Sequence, residues 1–153
     1  MLIRAATSAD AAEMSRVLRA IIAASGRERP GDIAFVLAQY IDNFTGIRCS
    51  VAVSDSNRLL GFQSLVRATP GNRYHVPDGW GIIGTHIGPD AHRQGVGKAL
   101  FAASLAAATA AGIEAIDAYI GADNATGLAY YAAMGFTTYH KPPGIVQKVY
   151  RLG

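Results

Sequence analysis

The sequence predicts an α/β fold: one central mixed, mostly antiparallel sheet of about seven strands flanked by four helices. Three observations predict it. Strand-like and helix-like segments alternate at both ends of the chain, the pattern of a sheet covered on both faces. An apolar run, Trp80 to Ile87, leads through His92-Arg93-Gln94-Gly95-Val96-Gly97-Lys98 into a long Ala-rich run, Ala99 to Ala111. Half of the 153 residues are hydrophobic and 16% are charged, enough apolar mass for a sizeable core. No repeat, low-complexity tail or linker divides the chain, so residues 1–153 read as a single domain.

Leu2 to Ala5 predicts a short first strand. Thr7 with Asp10 three residues later resembles a capping box, with Asp in place of Glu. Met14, Val17, Leu18 and Ile21 follow at helical spacing, so residues 8–23 predict an amphipathic helix. Ser25 to Gly31 breaks it. A second helix is expected with Ile33, Val36, Leu37, Tyr40, Ile41 and Phe44 on one face and Gly46 at its end. Val51 and Val53 lie in a strand that closes at the polar turn Ser54-Asp55-Ser56-Asn57, and Leu59 to Arg67 forms the other arm of a hairpin. Residues 68–79, with Pro70-Gly71-Asn72 and Pro77-Asp78-Gly79, are a loop.

Trp80 to Ile87 is the next strand, ended by Gly88-Pro89-Asp90. Ala99 to Ala111 carries no charge, which predicts a mostly buried helix stopped by Gly112. Ile113 to Ile120 is a strand, and Asp123 or Asn124 can cap a helix that runs to Met134 and stops at Gly135. Phe136 to Tyr139 and Val146 to Tyr150 are the last strands, joined by the loop Lys141-Pro142-Pro143-Gly144.

The formal net charge is +3, and Lys and Arg occur without runs. That argues against a nucleic-acid groove and suits an anionic small ligand. Cys49 is the only cysteine, so no intramolecular disulfide or cysteine zinc site forms, and its apolar surroundings read as packing rather than nucleophilic chemistry. The N-terminus lacks a signal-peptide layout, and Ala99 to Ala111 is too short to span a bilayer. A soluble cytoplasmic protein is expected, free of membrane and nucleic-acid partners.

A strand that turns through glycines into a helix can cradle phosphate, because the first helical N–H groups lack partners and the helix dipole favours an anion. Several ligands compete for such a turn. A Walker loop has Gly-Lys-Ser or Gly-Lys-Thr after an earlier glycine; here His92 and Ala99 occupy the two decisive positions. A dinucleotide fingerprint has a third glycine where Leu100 stands, although Asp117 lies at the distance its ribose acid requires. A plain glycine turn without ligand is the remaining alternative.

The segment Ile87-Gly88-Pro89-Asp90-Ala91-His92-Arg93-Gln94-Gly95-Val96-Gly97-Lys98-Ala99-Leu100 resembles the acetyl-CoA signature of the GNAT superfamily of N-acetyltransferases. That signature is Arg or Gln, two residues, Gly, any residue, then Gly or Ala, after a strand ending in an apolar-x-Pro step. The stretch Asn124 to Phe136, with Tyr130-Tyr131 and Gly135-Phe136, resembles the second motif of the family. The order of elements is similar to the family's from end to end. Two departures stand out: His92 where Arg or Gln is usual, and Gly127 where Ala or Ser is common.

The resemblance implies a GNAT fold with strands splayed at the cofactor site, and acetyl-CoA as cosubstrate. It implies that the pyrophosphate lies on the N–H groups from Gln94 through Gly95, Val96 and Gly97 to Lys98, with His92 at the first signature position. It also implies a pantetheine arm between the strands Trp80–Ile87 and Ile113–Ile120, and a backbone N–H near Ile87 that polarises the thioester carbonyl. By the same resemblance Tyr131 is the general acid for the thiolate, and Asn124 reaches the cofactor arm as well as capping its helix. Tyr130 is then a packing residue, since adjacent helical positions point about 100° apart.

The strand before the signature has no carboxylate, so the general base is expected among His86, Asp117, Tyr119, His75 or a water chain. Family analogy places the acceptor between the loop holding Arg27, Glu28 and Arg29 and the loop holding Lys141, Pro142 and Pro143. An Arg there suits a carboxylate-bearing amine. Ile120-Gly121-Ala122-Asp123-Asn124 is similar to phosphinothricin-type enzymes, which also favours a small amino-acid-like amine. The expected activity is direct acetyl transfer to a primary amine of a small molecule by a homodimer. Acetylation of a protein N-terminus or lysine, or acyl-CoA sensing without turnover, are the alternatives.

Overall fold

The computed structural model describes residues 1–153. Seven strands form a single sheet: β1 (Leu2–Ala5), β2 (Gly46–Val53), β3 (Leu59–Arg67), β4 (Gly81–Ile87), β5 (Ala115–Gly121), β6 (Thr137–His140) and β7 (Ile145–Arg151). Their order across the sheet is β1-β2-β3-β4-β5-β7-β6. The helices are α1 (Ala11–Ser25), α2 (Ile33–Val36), α3 (Val96–Ala110) and α4 (Ala125–Ala133).

Strand alternation sorts the core into two layers. Phe62 and Val51 pack with Met14, Val17 and Leu18 of α1 and with Val36 and Tyr40. Leu65, Ile83, Ile116, Ala118 and Ile120 pack on the other face with Phe101 of α3 and Tyr131 of α4. Helices therefore cover both faces, as the alternation of elements predicts.

All neighbouring strands are antiparallel except β4 and β5. These two run parallel and pair only through Gly81–Ile116, Ile82–Asp117 and Ile83–Ala118. Beyond that point β4 stays paired to β3 as far as Ile87, while β5 stays paired to β7 as far as Gly121. Each strand follows its other neighbour, so the sheet divides into a four-strand half and a three-strand half that diverge. The cleft between them is the fold's main irregularity.

The local signals at α1 act as read. The Thr7 N–H donates to the Asp10 carboxylate at 2.8 Å, and Arg4 donates to both Asp10 oxygens at 2.8 and 2.9 Å. The first turn, Ser8–Asp10, is a 3₁₀ helix, and Gly26 closes α1 in the left-handed conformation at φ 70°.

Expectations for the second and third helices are corrected. The second helix is short: after Val36 a wide π-helical turn, Leu37–Ile41, shifts the register, with the Asp42 N–H bonding back to Leu37. The chain then turns on Asn43, whose Oδ1 accepts from the Thr45 N–H and hydroxyl. Phe44 is therefore 96% exposed and off the apolar face, and Gly46 opens β2 rather than ending the helix. The third helix starts at Val96, not Ala99, because Gly95 at φ 76° turns the chain directly into it. It carries one charge, Lys98 in its first turn, and is not mostly buried, since Ala102, Ala106, Thr109 and Ala110 face outward. Gly112 at φ 71° ends it as expected, with the Ile113 N–H bonding to the Ala108 carbonyl.

Candidate active site

The glycine turn joins β4 to α3 at the mouth of the cleft. A 3₁₀ turn, Pro89–Ala91, follows β4, and the Arg58 guanidinium pairs with Asp90 at 2.7 Å to hold it to the β2–β3 turn. Arg93 at φ 64° and Gly95 at φ 76° then fold the chain into the helix. The first hydrogen bond of α3 runs from the Ala99 N–H to the Gly95 carbonyl at 3.1 Å. The N–H groups of Val96, Gly97 and Lys98 therefore lack helical partners and point out of its positive end. His92, Arg93, Gln94 and Lys98 are exposed around them, so the turn concentrates donors and positive charge.

The two glycines have different reasons. A Cβ on Gly95 would meet nothing within 4 Å, so this position needs glycine for its backbone angle alone. A Cβ on Gly97 would lie 2.5 Å from Cε1 of Tyr130 and 3.1 Å from Cδ1 of Ile87. Gly97 is thus a packing notch for Tyr130, and bulk there strikes the protein before it strikes a ligand.

The backbone of β4 presents an open edge to the cleft. Gly88 donates to the Leu60 carbonyl at 2.9 Å, so even-numbered residues of this strand face β3. By antiparallel alternation the main-chain groups of Ile83, Thr85 and Ile87 face β5. Ile83 is paired there; Thr85 and Ile87 lie beyond the last pair. Buried main-chain groups require partners, so this edge is suited to an extended ligand that carries amides.

A polar network lines the cleft on the α3–α4 face. Ser104 of α3 donates to Gln63 Oε1 at 2.6 Å, and Gln63 Nε2 donates to the Thr85 hydroxyl at 2.9 Å and to the Tyr130 hydroxyl at 3.0 Å. The Tyr130 hydroxyl donates to the Gly97 carbonyl at 2.7 Å, tying α4 to the first turn of α3. The Tyr131 hydroxyl lies 2.8 Å from Thr85 Oγ1. The Tyr131 ring is 7% exposed, and burial pushes its phenol pKa well above the ordinary value. It holds its proton at neutral pH and stands against the part of β4 that has left β5. The two tyrosines, edge-to-face at 4.9 Å, serve one network through different contacts, where the sequence reading separated them altogether.

Gln63, Thr85 and Ser104 escape sequence reasoning. The available signal is an amide between apolar residues in the middle of a strand, together with a hydroxyl at the centre of an Ala-rich helix. Asn124 caps α4 by accepting the Gly127 N–H at 3.0 Å, and a Cβ on Gly127 would lie 2.6 Å from Asn124 Nδ2. That contact explains why glycine stands at this position.

The opposite face of the cleft holds the expected bases. His86 is 9% exposed, 4.7 Å from the Phe62 ring and 5.3 Å from Tyr40, on the α1–α2 side of β4. Burial, aided by the nearby Arg29 charge, lowers its pKa to about 3. A buried imidazole of that kind is neutral at pH 7 and packs against the Phe62 and Tyr40 rings. Asp117 of β5 is on this same side, fully buried, and burial raises its pKa to about 6. Tyr119 is exposed and packs at 4.9 Å on Tyr74, while His75 is exposed on the β3–β4 loop. Arg27 pairs with Asp123, closing the α1–α2 loop onto the β5–α4 loop, and Arg29 reaches the Tyr40 hydroxyl at 3.5 Å. Cys49 stays a thiol, its pKa pushed up to about 12 by burial.

Known proteins share this fold. The model of the acetyltransferase (GNAT) family matches residues 17–136. The chain belongs to that family, whose acyl donor is acetyl-CoA. Mycothiol acetyltransferase of Rhodococcus opacus (strain B4) is 33% identical over 96 residues, a match covering 62% of this chain and 30% of that protein. The chain thus corresponds to about a third of the length of this relative. A GCN5-related N-acetyltransferase from Kribbella flavida has the same fold with a TM-score of 0.83 at 19% identity, over 99% of this chain and 97% of that one. A phosphinothricin acetyltransferase from Sinorhizobium meliloti, in complex with acetyl-CoA, aligns with a TM-score of 0.81 at 21% identity, over 99% and 88% of the two chains.

The residues present fit acetyl-CoA. The donors at the start of α3 suit its phosphates, and the open edge at Thr85 and Ile87 suits its amide-bearing arm. No helix is long and apolar enough to cross a membrane.

The two glycine roles are separable. Gly97→Ala is expected to displace Tyr130, destabilise the protein by about 1–3 kcal/mol and raise the acetyl-CoA KM. Gly95→Ala has room for its methyl and is expected to lose about 1–2 kcal/mol through backbone strain. Urea denaturation and steady-state kinetics check both; an undisturbed Gly97→Ala contradicts the notch. The neutral His86 also has a signature. Its folded pKa of about 3 lies below the ordinary 6.5, so its contribution is full above pH 6.5 and drains as pH falls toward 3. The slope is at most about 1.4 kcal/mol per pH unit. Subtracting the stability-pH profile of His86→Leu from that of the wild type isolates this component; a flat difference contradicts it.

Proposed function

We propose that this chain is one catalytic domain that transfers acetyl from acetyl-CoA to the primary amine of a small, amino-acid-like molecule by direct attack in a ternary complex. The observation that carries the reading is the placement of the Tyr131 hydroxyl against Thr85, where β4 has parted from β5. Acetyl-CoA supplies the activated acyl group and a thiolate to be released. The N–H groups of Val96, Gly97 and Lys98, with His92, Gln94 and Gly95 around them, would hold its phosphates. The open edge of Thr85 and Ile87 would align its arm, with Asn124 near the cleft mouth. The Ile87 N–H faces the cleft and would donate to negative charge developing on the acyl oxygen. Tyr131, kept protonated by burial, would give its proton to the departing sulfur.

The amine would enter from the α1–α2 face. Arg29, beside Tyr40 with no carboxylate partner, favours an acceptor that bears a carboxylate. The reading includes a cytoplasmic homodimer, supported by the small apolar residues Ala102, Ala106 and Ala110 exposed on the outer face of α3.

Thiol release from acetyl-CoA across a panel of amino acids, simple amines and peptides tests the assignment, beside calorimetric binding of acetyl-CoA. Tyr131→Phe is expected to lower kcat about 10²-fold with little change in cofactor affinity. Unchanged turnover would remove Tyr131 from the chemistry. Binding by the wild type without turnover of any amine or peptide would favour an acyl-CoA sensor.

A further inference from the structure

The polar network on the α3–α4 face holds one proton more than its contacts use. The Gly97 carbonyl only accepts, so the Tyr130 hydroxyl directs its proton there and turns a lone pair to Gln63. That fixes the Gln63 amide: Nε2 donates to Tyr130 and Thr85, and Oε1 accepts from Ser104. Thr85 Oγ1 therefore accepts from Gln63 and keeps its own proton. Thr85 and Tyr131 bring two hydroxyl protons to a single contact at 2.8 Å, and neither hydroxyl has another acceptor in the protein. One of the two protons is left for a group outside the protein.

The amide decides which proton that is. Successive hydrogen bonds polarise one another, so an oxygen that already accepts is the better donor. Gln63 donates to Thr85; Thr85 donating on to Tyr131 continues the chain in one direction and leaves the Tyr131 proton at its free end. The reverse order makes Thr85 Oγ1 accept twice and strands its own proton. Anchoring is already met by Tyr130, which ties α4 to the first turn of α3. The Thr85–Tyr131 contact lies one step further along, on the part of β4 beyond its last pair with β5.

We propose that Thr85, held by Gln63, is the positioning residue for Tyr131: its hydroxyl donates to the phenol oxygen, turns the phenol proton outward and stabilises the phenolate left when that proton is transferred. This rests on the acetyl-transfer reading and names the groups that aim and activate its acid. The amine lone pair forms the C–N bond, and the C–S bond breaks with its electron pair going to sulfur. The Tyr131 O–H bond breaks, its proton forms S–H, and its pair stays on the phenol oxygen, where the Thr85 proton is already directed. The amine gives its surplus proton to water, and water returns one to the phenolate. Burial raises the Tyr131 pKa, and the Thr85 hydrogen bond is the largest effect that opposes it.

Single-turnover acetyl transfer to the fastest amine of the panel, at saturating acetyl-CoA, tests the role. Thr85→Val keeps the shape and the main chain but removes the hydroxyl. It is expected to slow transfer about 10- to 30-fold, while the acetyl-CoA Kd changes by about threefold or less. Thr85→Ser restores the donor and is expected to recover most of the lost rate. In a Tyr131→Phe background, Thr85→Val is expected to cost about twofold or less, because the oxygen it serves is gone. With the selenium analogue of acetyl-CoA, whose selenolate leaves without a proton, the Thr85→Val loss is expected to shrink to about threefold or less. Gln63→Met, which leaves Thr85 unheld, is expected to show the same pattern at about three- to tenfold and serves if Thr85→Val folds poorly. Variants that transfer at the wild-type rate, or that lose as much in the Tyr131→Phe background as alone, would overturn the role while acetyl transfer stands. A wild type that transfers acetyl to no amine would remove the acetyl-transfer reading and this role with it.

Discussion

The parting of β4 from β5 is the constraint on which the rest of this structure depends. Two strands joined only at Gly81–Ile83 and Ile116–Ala118 must diverge, because β3 and β7 each hold their own partner to its end. The divergence leaves main-chain groups of Thr85 and Ile87 facing a cleft in the middle of a sheet. Such groups are costly to bury unpaired, so the cleft is stable when water or an amide-bearing ligand fills it. The fold therefore builds a receptor for an extended ligand out of a missing strand contact.

The sheet also divides the chemistry between its faces. On the α3–α4 face, the helix N-terminus offers donors and the Gln63–Thr85–Tyr131 network holds a protonated phenol beside the open strand. On the α1–α2 face lie aromatic rings, Arg29 and the buried Asp117–Tyr139 pair. Burial raises the pKa of both Tyr131 and Asp117, yet with opposite consequences near neutrality. The phenol keeps its proton, while the carboxyl loses its own only above about pH 6. His86 shows the contrary case, where burial lowers the pKa and keeps the imidazole neutral.

Much of the fold is legible in the chain because local signals agree with the tertiary result. Gly95, Gly112 and Gly135 mark turns at positive φ, the polar turn Ser54–Asn57 closes a hairpin, and Asn124 caps its helix. The second helix is not legible beyond Val36, since apolar spacing continues to Phe44 while the backbone widens into a π turn. The site is legible where it depends on the backbone. The glycine turn and the position of Tyr131 in its motif point to one end of the cleft. It is illegible where side chains far apart in sequence meet. Gly97 under Tyr130, Gln63 bridging Ser104 to Thr85, and Tyr139 on Asp117 are each contacts that no spacing rule encodes.

The central claim is that acetyl-CoA completes the sheet edge at Thr85 and Ile87 and seats its phosphates on the start of α3. Amide hydrogen exchange followed by NMR, with and without acetyl-CoA, tests it residue by residue. The account predicts that the amides of Thr85, Ile87, Val96, Gly97 and Lys98 become protected together on binding, while those of β1 and β2 are unchanged. Acetyl-CoA binding that leaves Thr85 and Ile87 as exchangeable as before would contradict it.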